Sequence, residues 1–382
     1  MSFELLIDIL IATVPLMLIF ASVFAFTTWL ERKALARIQN RIGPNKVGIP
    51  CTRIGLFGLG QPTADGIKMI FKENIVPTGA DRLFHLLAPI LALIPSMLVL
   101  CFLPLDFPWL NENSVKAFLL DGAVIFFFAI TGLNTLAVFM AGWASRNKYS
   151  LLGGMRAVAQ MVSYEIPLVL SAVIVVMMVG SLNAAEIAGE QKGGNWFVFY
   201  PWGFAAFVIF FIAALAETNR SPFDLPEAES EIIAGYFTEY SGFKFALFFL
   251  AEYIAMFAIS GLAVTLFLGG GDGPGLTVLP WLSVIWFLAK IFALIAVMIW
   301  LRGTLPRLRV DQLMGFAWKF MLPLSILNIF VAGFAWHAKQ LDSQFIMVIT
   351  WVISLAVLYG AASGLNQLNR GKVRPREYKY AE

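Results

Sequence analysis

Long apolar runs, each about as long as a bilayer is thick, alternate along the chain with shorter segments that hold nearly all of its charge. Nine runs stand out, at about 5–30, 84–105, 118–141, 162–181, 199–217, 244–268, 279–301, 317–336 and 344–365. A transmembrane helix needs roughly 20 mostly apolar residues, whereas the strands of a membrane barrel alternate apolar and polar positions. The pattern predicts an all-α, polytopic membrane helix bundle of about nine transmembrane helices. The first run reads as a span and not as a cleaved leader. It lacks a basic start, carries Glu4 and Asp8, and runs into Glu31-Arg32-Lys33 instead of a small-residue cleavage site.

The polar segments sort by side. With nine spans, 31–83, 142–161, 218–243, 302–316 and 366–382 share one face. With the adjoining Lys244 and Lys319, that face holds 23 of the 27 Lys and Arg. Lys116, Lys192 and Lys339 lie on the other face, and Lys290 lies inside a span. Cytoplasmic loops carry the basic excess, so the N-terminus is expected outside. The basic tail (Arg370, Lys372, Arg374, Arg376, Lys379) is then expected in the cytoplasm.

Composition agrees with a lipid setting. The 382 residues are 59% hydrophobic and 13% charged, with a mean hydropathy of +0.80. A soluble domain is nearer 45–50% apolar and about 25% charged. A soluble enzyme and a disordered chain are excluded. Cys51 and Cys101 are the only cysteines, too few for an iron–sulfur cluster with four Cys ligands. His85 and His337, the only histidines, fall near opposite membrane faces and cannot share a haem. Neither GxGxxG nor GxxxxGK[ST] occurs. No cofactor is expected on this chain alone.

Two of the cytoplasmic loops have opposite character. Loop 31–83 has nine basic residues against Glu31, Asp65, Glu73 and Asp81. Loop 218–243 sets Asp224, Glu227, Glu229, Glu231 and Glu239 against Arg220. This polarity suits a docking surface for a soluble partner, although ordinary solvated loops would look similar. Within the first loop, Ile67, Ile70, Phe71 and Val76 recur at helical spacing among Asp65, Lys68, Lys72 and Glu73. Residues 62–76 are therefore expected to form an amphipathic interfacial helix, either a peripheral anchor or the mouth for a lipid-like substrate. In 219–227, Asp224 and Glu227 have capping-box spacing, with Pro226 suited to a first turn. Capping leaves Glu229 and Glu231 unexplained, and Glu227 and Glu231 would repel on one helix face.

Ionisable residues inside spans are costly and mark functional candidates. Glu252 lies about eight residues into its span, ~12 Å deep at ~1.5 Å per residue. Glu165 and Glu217 lie near span ends, and Lys290 is eleven residues from either end of its span. A helix that began before Ala157 would bury Glu165 more deeply. Asp121 lies near an outer end. A ladder from the loop acids through Glu217 to Glu165, Glu252 and Lys290 has the form of a proton relay. The structural alternative is that Lys290 neutralises one buried carboxylate.

Several motifs together resemble one family. They are Glu31 to Gly48 (ERKALARIQNRIGPNKVG), Gln61 to Lys68 (QPTADGIK) and Lys148 to Glu165 (KYSLLGGMRAVAQMVSYE). The most specific is Ala216 to Glu231 (AETNRSPFDLPEAESE), followed by Glu239 to Gly242, Ala246 to Tyr253 (ALFFLAEY) and Arg302 to Met314 (RGTLPRLRVDQLM). In this order they resemble the H subunit family of respiratory complex I, also called NADH dehydrogenase subunit one. The resemblance implies a membrane subunit of a proton-pumping NADH:quinone oxidoreductase. Such a subunit forms much of the quinone-access chamber and has no isolated activity. By motif, the family's charged network falls on Glu31, Arg32, Arg41, Asp65, Glu165, Glu217, Arg220, Asp224, Glu227, Glu229, Glu231, Glu252, Arg302, Arg307 and Asp311. Lys290 is added from its depth alone. No residue is assigned as the acid that reduces quinone. Flavin mononucleotide and iron–sulfur clusters are implied in partner subunits, with quinone as substrate and lipid around the chain. Those partners are hydrophilic quinone-site subunits and antiporter-like and small membrane subunits; nucleic acid is not among them.

The chain departs from the family pattern in a longer 49–60 stretch with Cys51, in Val310, and in Phe237 and Thr238. The family core has eight spans, so 1–343 reads as the family-like membrane domain and 344–382 as an added ninth helix with a basic tail. Two other readings remain. A free-standing ion transporter would leave the charged loops unexplained. A membrane-bound hydrogenase subunit fits the first-loop and 216–231 motifs less well.

Overall fold

The structure, a computed structural model, describes residues 22–48, 55, 57–100, 103, 121–224, 234–276, 279, 281–340 and 344–369. The first predicted span is thus described only from residue 22. Cys51, Cys101, Lys116, Glu227, Glu229, Glu231 and the basic tail lie outside the described residues.

Helix α1 covers 22–38. The amphipathic helix expected in the first loop is α2 (Gln61–Phe71). Then come α3 (Arg82–Leu100), α4 (Ala123–Ala144), α5 (Lys148–Val179) and the short α6 (Ala184–Glu190). They are followed by α7 (Pro201–Glu217), α8 (Gly242–Phe267) and α9 (Leu282–Thr304). Helix α10 (Val310–Phe316) passes through a π-turn at Ala317–Met321 into α11 (Leu322–Gln340), and α12 (Gln344–Asn369) ends the described chain. Among the described residues, six segments are long and apolar enough to cross a membrane, and two shorter apolar helices, Pro201–Glu217 and Ile349–Leu365, match further predicted spans.

Helix α5 differs most from expectation. It begins at Lys148, well before residue 162, because Asn147 caps it by accepting from the Tyr149 backbone N–H (3.0 Å). Its polar first turns, with Lys148, Arg156 and Gln160, hid it from a search for apolar runs. Glu165 consequently stands seventeen residues past the start of the helix. The α5 surface is cut away at Gly153, where an added Cβ would lie 2.6 Å from the Gly235 Cα. That neighbour is backbone in a 3-10 turn (Gly235–Phe237) and cannot swing aside. Gly153→Ala is expected to destabilise the protein by about 1–3 kcal/mol through overpacking. Thermal melting of the purified complex checks it, and an unchanged midpoint would refute this close contact.

Helix α3 packs against α4 and α8, and α5 packs against α4, α7 and α11. Helix α9 leans on α8, while α12 reaches α11, the π-turn and α7 from the outside. Without water in the bilayer core, buried hydroxyls need partners within the protein. Ser96, Ser260 and Thr265 each donate to the carbonyl one turn back, at 2.9, 2.7 and 2.9 Å. Helix α2 stops at Phe71, earlier than residue 76, because Lys72 is already extended. Its Ile67, Ile70 and Phe71 are exposed, as for a helix lying in a membrane interface.

Candidate functional site

The charged residues gather where α1, the loop after α7, α8 and the end of α9 meet. Glu31, on α1, is only 3% exposed. Arg220 donates from Nη1 to its Oε1 at 3.2 Å. Arg302 pairs with the same oxygen, and the Tyr253 hydroxyl donates to Oε2 at 2.6 Å. The Arg220 guanidinium also lies 4.2 Å from the centre of the Tyr253 ring. Two arginines therefore share one buried carboxylate, which joins four stretches of chain. Charge-assisted hydrogen bonds of this kind are the strong ones, and Arg supplies the flat fork they need. Arg220 Nε and Nη2 have no hydrogen-bond partner among the described residues.

Two further pairs flank this cluster. Arg307 reaches Asp224 Oδ2 at 3.3 Å, and the Asp224 side chain is 1% exposed. Ser221 donates to the same oxygen at 3.4 Å. Arg32, next to Glu31, pairs with Asp65 on α2. Gln61 and Lys68 also donate to Asp65, at 3.2 and 3.4 Å. Partial burial pushes the Asp65 carboxyl up, but Arg32 and Lys68 outweigh it and hold the group below the usual carboxylate range. The interfacial helix is thus tethered to α1 by charge. Arg41 lies just past the α1 turn and donates from Nε to Gln39 Oε1 at 2.8 Å.

Three acids lie deeper. Glu217, the last residue of α7, is buried, and its Oε2 has no hydrogen-bond partner among the described residues. It borders a cavity of about 20 Å³ shared with Ser96, Thr131, Asn134 and Thr218. One water needs roughly 10–15 Å³ measured in this way, and polar walls to hold it. Glu165 lies against α4, with Oε1 3.3 Å from where a Cβ on Gly132 would sit, and its charge interacts with that of Glu217. Glu252 accepts from the Tyr236 hydroxyl at 3.2 Å and interacts with Arg220. Ala255, one turn beyond Glu252, lines the Glu217 cavity. Charge thus couples Glu165 with Glu217, and Glu252 with Arg220 of the Glu31 cluster.

Two expected members stand apart. Lys290 donates from Nζ to the carbonyls of Leu268, Gly270 and Asp272, at 2.6, 3.0 and 2.7 Å. It also lies 4.2 Å from the Trp196 ring centre. All three of its N–H groups are engaged at the C-terminal end of α8, where the helix dipole favours a cation. The lysine thus neutralises carbonyl dipoles at this helix end, and the Asp272 charge also acts on it. Its position mid-way along a span in the sequence did not reveal that the neighbouring α8 ends beside it. Asp311 is exposed in the first turn of α10. Asp121 precedes α4 in an exposed turn. Glu227, Glu229 and Glu231 lie outside the described residues.

Two site residues carry no formal charge and were not singled out by charge. Tyr253 holds Glu31 from α8. Gln160, fully buried on α5, donates from Nε2 to the Ala216 carbonyl (2.8 Å), Asn219 Oδ1 (3.3 Å) and the Phe223 carbonyl (2.6 Å). It clamps the loop that presents Arg220 and Asp224. Both residues fall inside the motifs quoted above, which was the one available signal.

Comparison with known proteins identifies the family of the chain. The family described as NADH dehydrogenase matches residues 11–333. A protein of Geobacillus kaustophilus, named as the H subunit of NADH-quinone oxidoreductase, is 49% identical over 316 residues, covering 82% of this chain and 90% of the relative. The H subunit of Dehalococcoides mccartyi strain CBDB1 is 48% identical over 306 residues, covering 80% of each chain. That of Thermomicrobium roseum is 46% identical over 328 residues, covering 81% of this chain and 90% of the relative. With relatives this similar along most of its length, and a family match that spans the whole charged cluster, the chain belongs to the NADH dehydrogenase family.

Proposed function

We propose that this chain is the H subunit of a proton-pumping NADH:quinone oxidoreductase. It forms much of the quinone-access chamber and couples quinone reduction to proton translocation. The observation that carries this reading is the buried Glu217 beside a water-sized cavity, with the half-buried Glu165 acting on it by charge and the half-buried Glu252 acting on Arg220 of the Glu31 cluster. The names of the relatives supply the reaction. The flavin and iron–sulfur clusters that deliver electrons belong to partner subunits, and quinone reaches the chamber from the lipid.

Reduction of a quinone to the quinol consumes protons and draws negative charge toward the chamber. Arg32 and Arg41, on the cytoplasmic side of α1, are placed to meet that charge. The pair of Arg32 with Asp65 ties the response to the amphipathic helix at the proposed mouth. Asp224, Arg220 and the acids of 227–231 then change their proton occupancy or pairing. Arg220 passes the change inward because it touches Glu31 and lies in the field of Glu252. Glu217 and Glu165 carry like charges close together, so a proton on one favours release from the other. The docking partners are the hydrophilic quinone-site subunits, and the chain sits in the bacterial inner membrane with its N-terminus outside.

Arg41→Gln tests the chamber. The apparent quinone KM of the assembled complex is expected to rise roughly tenfold, the value of one charge-assisted contact, with kcat less affected. Steady-state kinetics with a soluble quinone analogue reads this directly. Unchanged KM and unchanged inhibitor sensitivity would remove Arg41 from the chamber.

A further inference from the structure

Ser241 stands at the N-cap of α8 but does not cap it: its side chain makes no bond to the first turn of that helix. Serine at an N-cap usually accepts from the N–H of the second or third helical residue, and forgoing that bond weakens the helix. Here the hydroxyl serves a distant part of the chain. It accepts from the Ile75 backbone N–H at 2.8 Å and donates to the Glu73 carbonyl at 3.2 Å, across 166 and 168 residues. Both partners lie in the non-helical stretch that leaves α2 at Lys72.

The next residue shows how close the two segments come. Gly242 has a φ of +59°. A Cβ there would stand 3.0 Å from the Lys72 carbonyl oxygen and 3.3 Å from that of Glu73. Glycine meets both demands without strain. This start of α8 is itself fixed to α3. Lys244 Nζ lies within hydrogen-bond distance of His85 Nδ1 (3.2 Å), and the His85 ring stacks on Tyr240 with centroids 4.1 Å apart. The exit of α2 is thereby pinned to a rigid point.

Helix α2 is thus tethered at both ends, by unlike means. Asp65 ties its first half to α1 through the ion pair with Arg32. Its exit rests on one uncharged hydroxyl. Between these ties Ile67, Ile70 and Phe71 are exposed, and so is Ile75, whose N–H Ser241 holds. We propose, on the reading of this chain as a quinone-chamber subunit, that Ser241 is a positioning residue for the hydrocarbon tail of the quinone. By fixing the exit of α2, its hydroxyl sets where the apolar face of that helix stands at the mouth. A quinone with a long isoprenoid tail passes along this face, whereas a tail-less analogue reaches the chamber without it. Losing the hydroxyl acts on entry of the tailed substrate and not on the chemistry, because the Ser241 side chain bonds to backbone groups alone.

The test compares two quinones that share a ring and differ only in the tail, one long and isoprenoid, the other a methyl group. Intact complexes carrying Ser241→Ala, Ser241→Cys or Ser241→Thr are placed in proteoliposomes, and NADH-driven reduction of each quinone is measured. Ser241→Ala is expected to raise the apparent KM for the tailed quinone about fivefold, the scale of one neutral hydrogen bond, with kcat unchanged. Both constants for the tail-less quinone should stay at their wild-type values. Ser241→Thr keeps the hydroxyl and is expected to keep the wild-type KM. Cysteine is close to serine in size but bonds weakly, so Ser241→Cys should behave as Ser241→Ala and decides the matter if the alanine variant does not assemble. An unchanged KM for the tailed quinone would overturn the inference. So would an equal rise for both quinones, which would place the effect in the chamber, or a threonine variant that behaves as the alanine one. Failure of the proposed function looks different: the wild-type complex would then reduce neither quinone, and the role of Ser241 would fall with it.

Discussion

Glu31→Ala is expected to prevent accumulation of the assembled complex. The substitution strands the buried Arg220 guanidinium without its carboxylate and leaves Arg302 and Tyr253 without their shared acceptor. Removing one partner of a buried ion pair costs roughly 3–5 kcal/mol, a large fraction of the stability of a typical domain. The check is the yield of complex on native gels and its melting temperature in detergent. A double variant that also replaces Arg220 with Met should recover part of the yield, since well-packed apolar groups substitute for buried pairs better than half a pair does. Normal yield of the single variant would mean that the cluster does not hold these helices together.

Glu217→Gln should have the opposite character: full assembly and impaired turnover. Glutamine has the shape of the carboxyl group but cannot take up and release a proton. No ion pair is broken, because Glu217 Oε2 has no hydrogen-bond partner among the described residues. Proton-coupled quinone reduction in proteoliposomes is expected to fall roughly 10²-fold, the lower range for losing a positioned acid–base group. Electron transfer from NADH to a soluble acceptor, which bypasses the membrane arm, should be unchanged. An assembled Glu217→Gln complex with normal turnover and pumping would end the relay role.

The two substitutions separate the parts of the site. Glu31 holds the helices through charges that stay paired, whereas Glu217 is poised beside a cavity. The flanking motifs marked both residues as candidates, but did not show that their tasks would differ. Partner geometry made that distinction. Lys290 teaches the same point from the other direction. Depth in a span marked it as a member of the relay, yet its contacts are three carbonyls and an indole ring at the end of α8. Helix α5 shows where a local pattern misleads: its polar first turns conceal about a dozen helical residues that an N-cap and close glycine packing make favourable.

The helix type, most of the apolar spans and the amphipathic helix of the first loop were legible in the sequence, because each depends on neighbours a few residues apart. A run of about twenty apolar residues is long enough to cross a bilayer whatever surrounds it. The motifs likewise carried the family assignment. Which charges meet was another matter. Glu31 binds Arg220, Tyr253 and Arg302 across 189, 222 and 271 residues of chain. No periodicity encodes such separations. Only packing of α1, α7, α8 and α9 brought those side chains to one carboxylate, left Glu217 beside its cavity and sent Lys290 to a helix end instead.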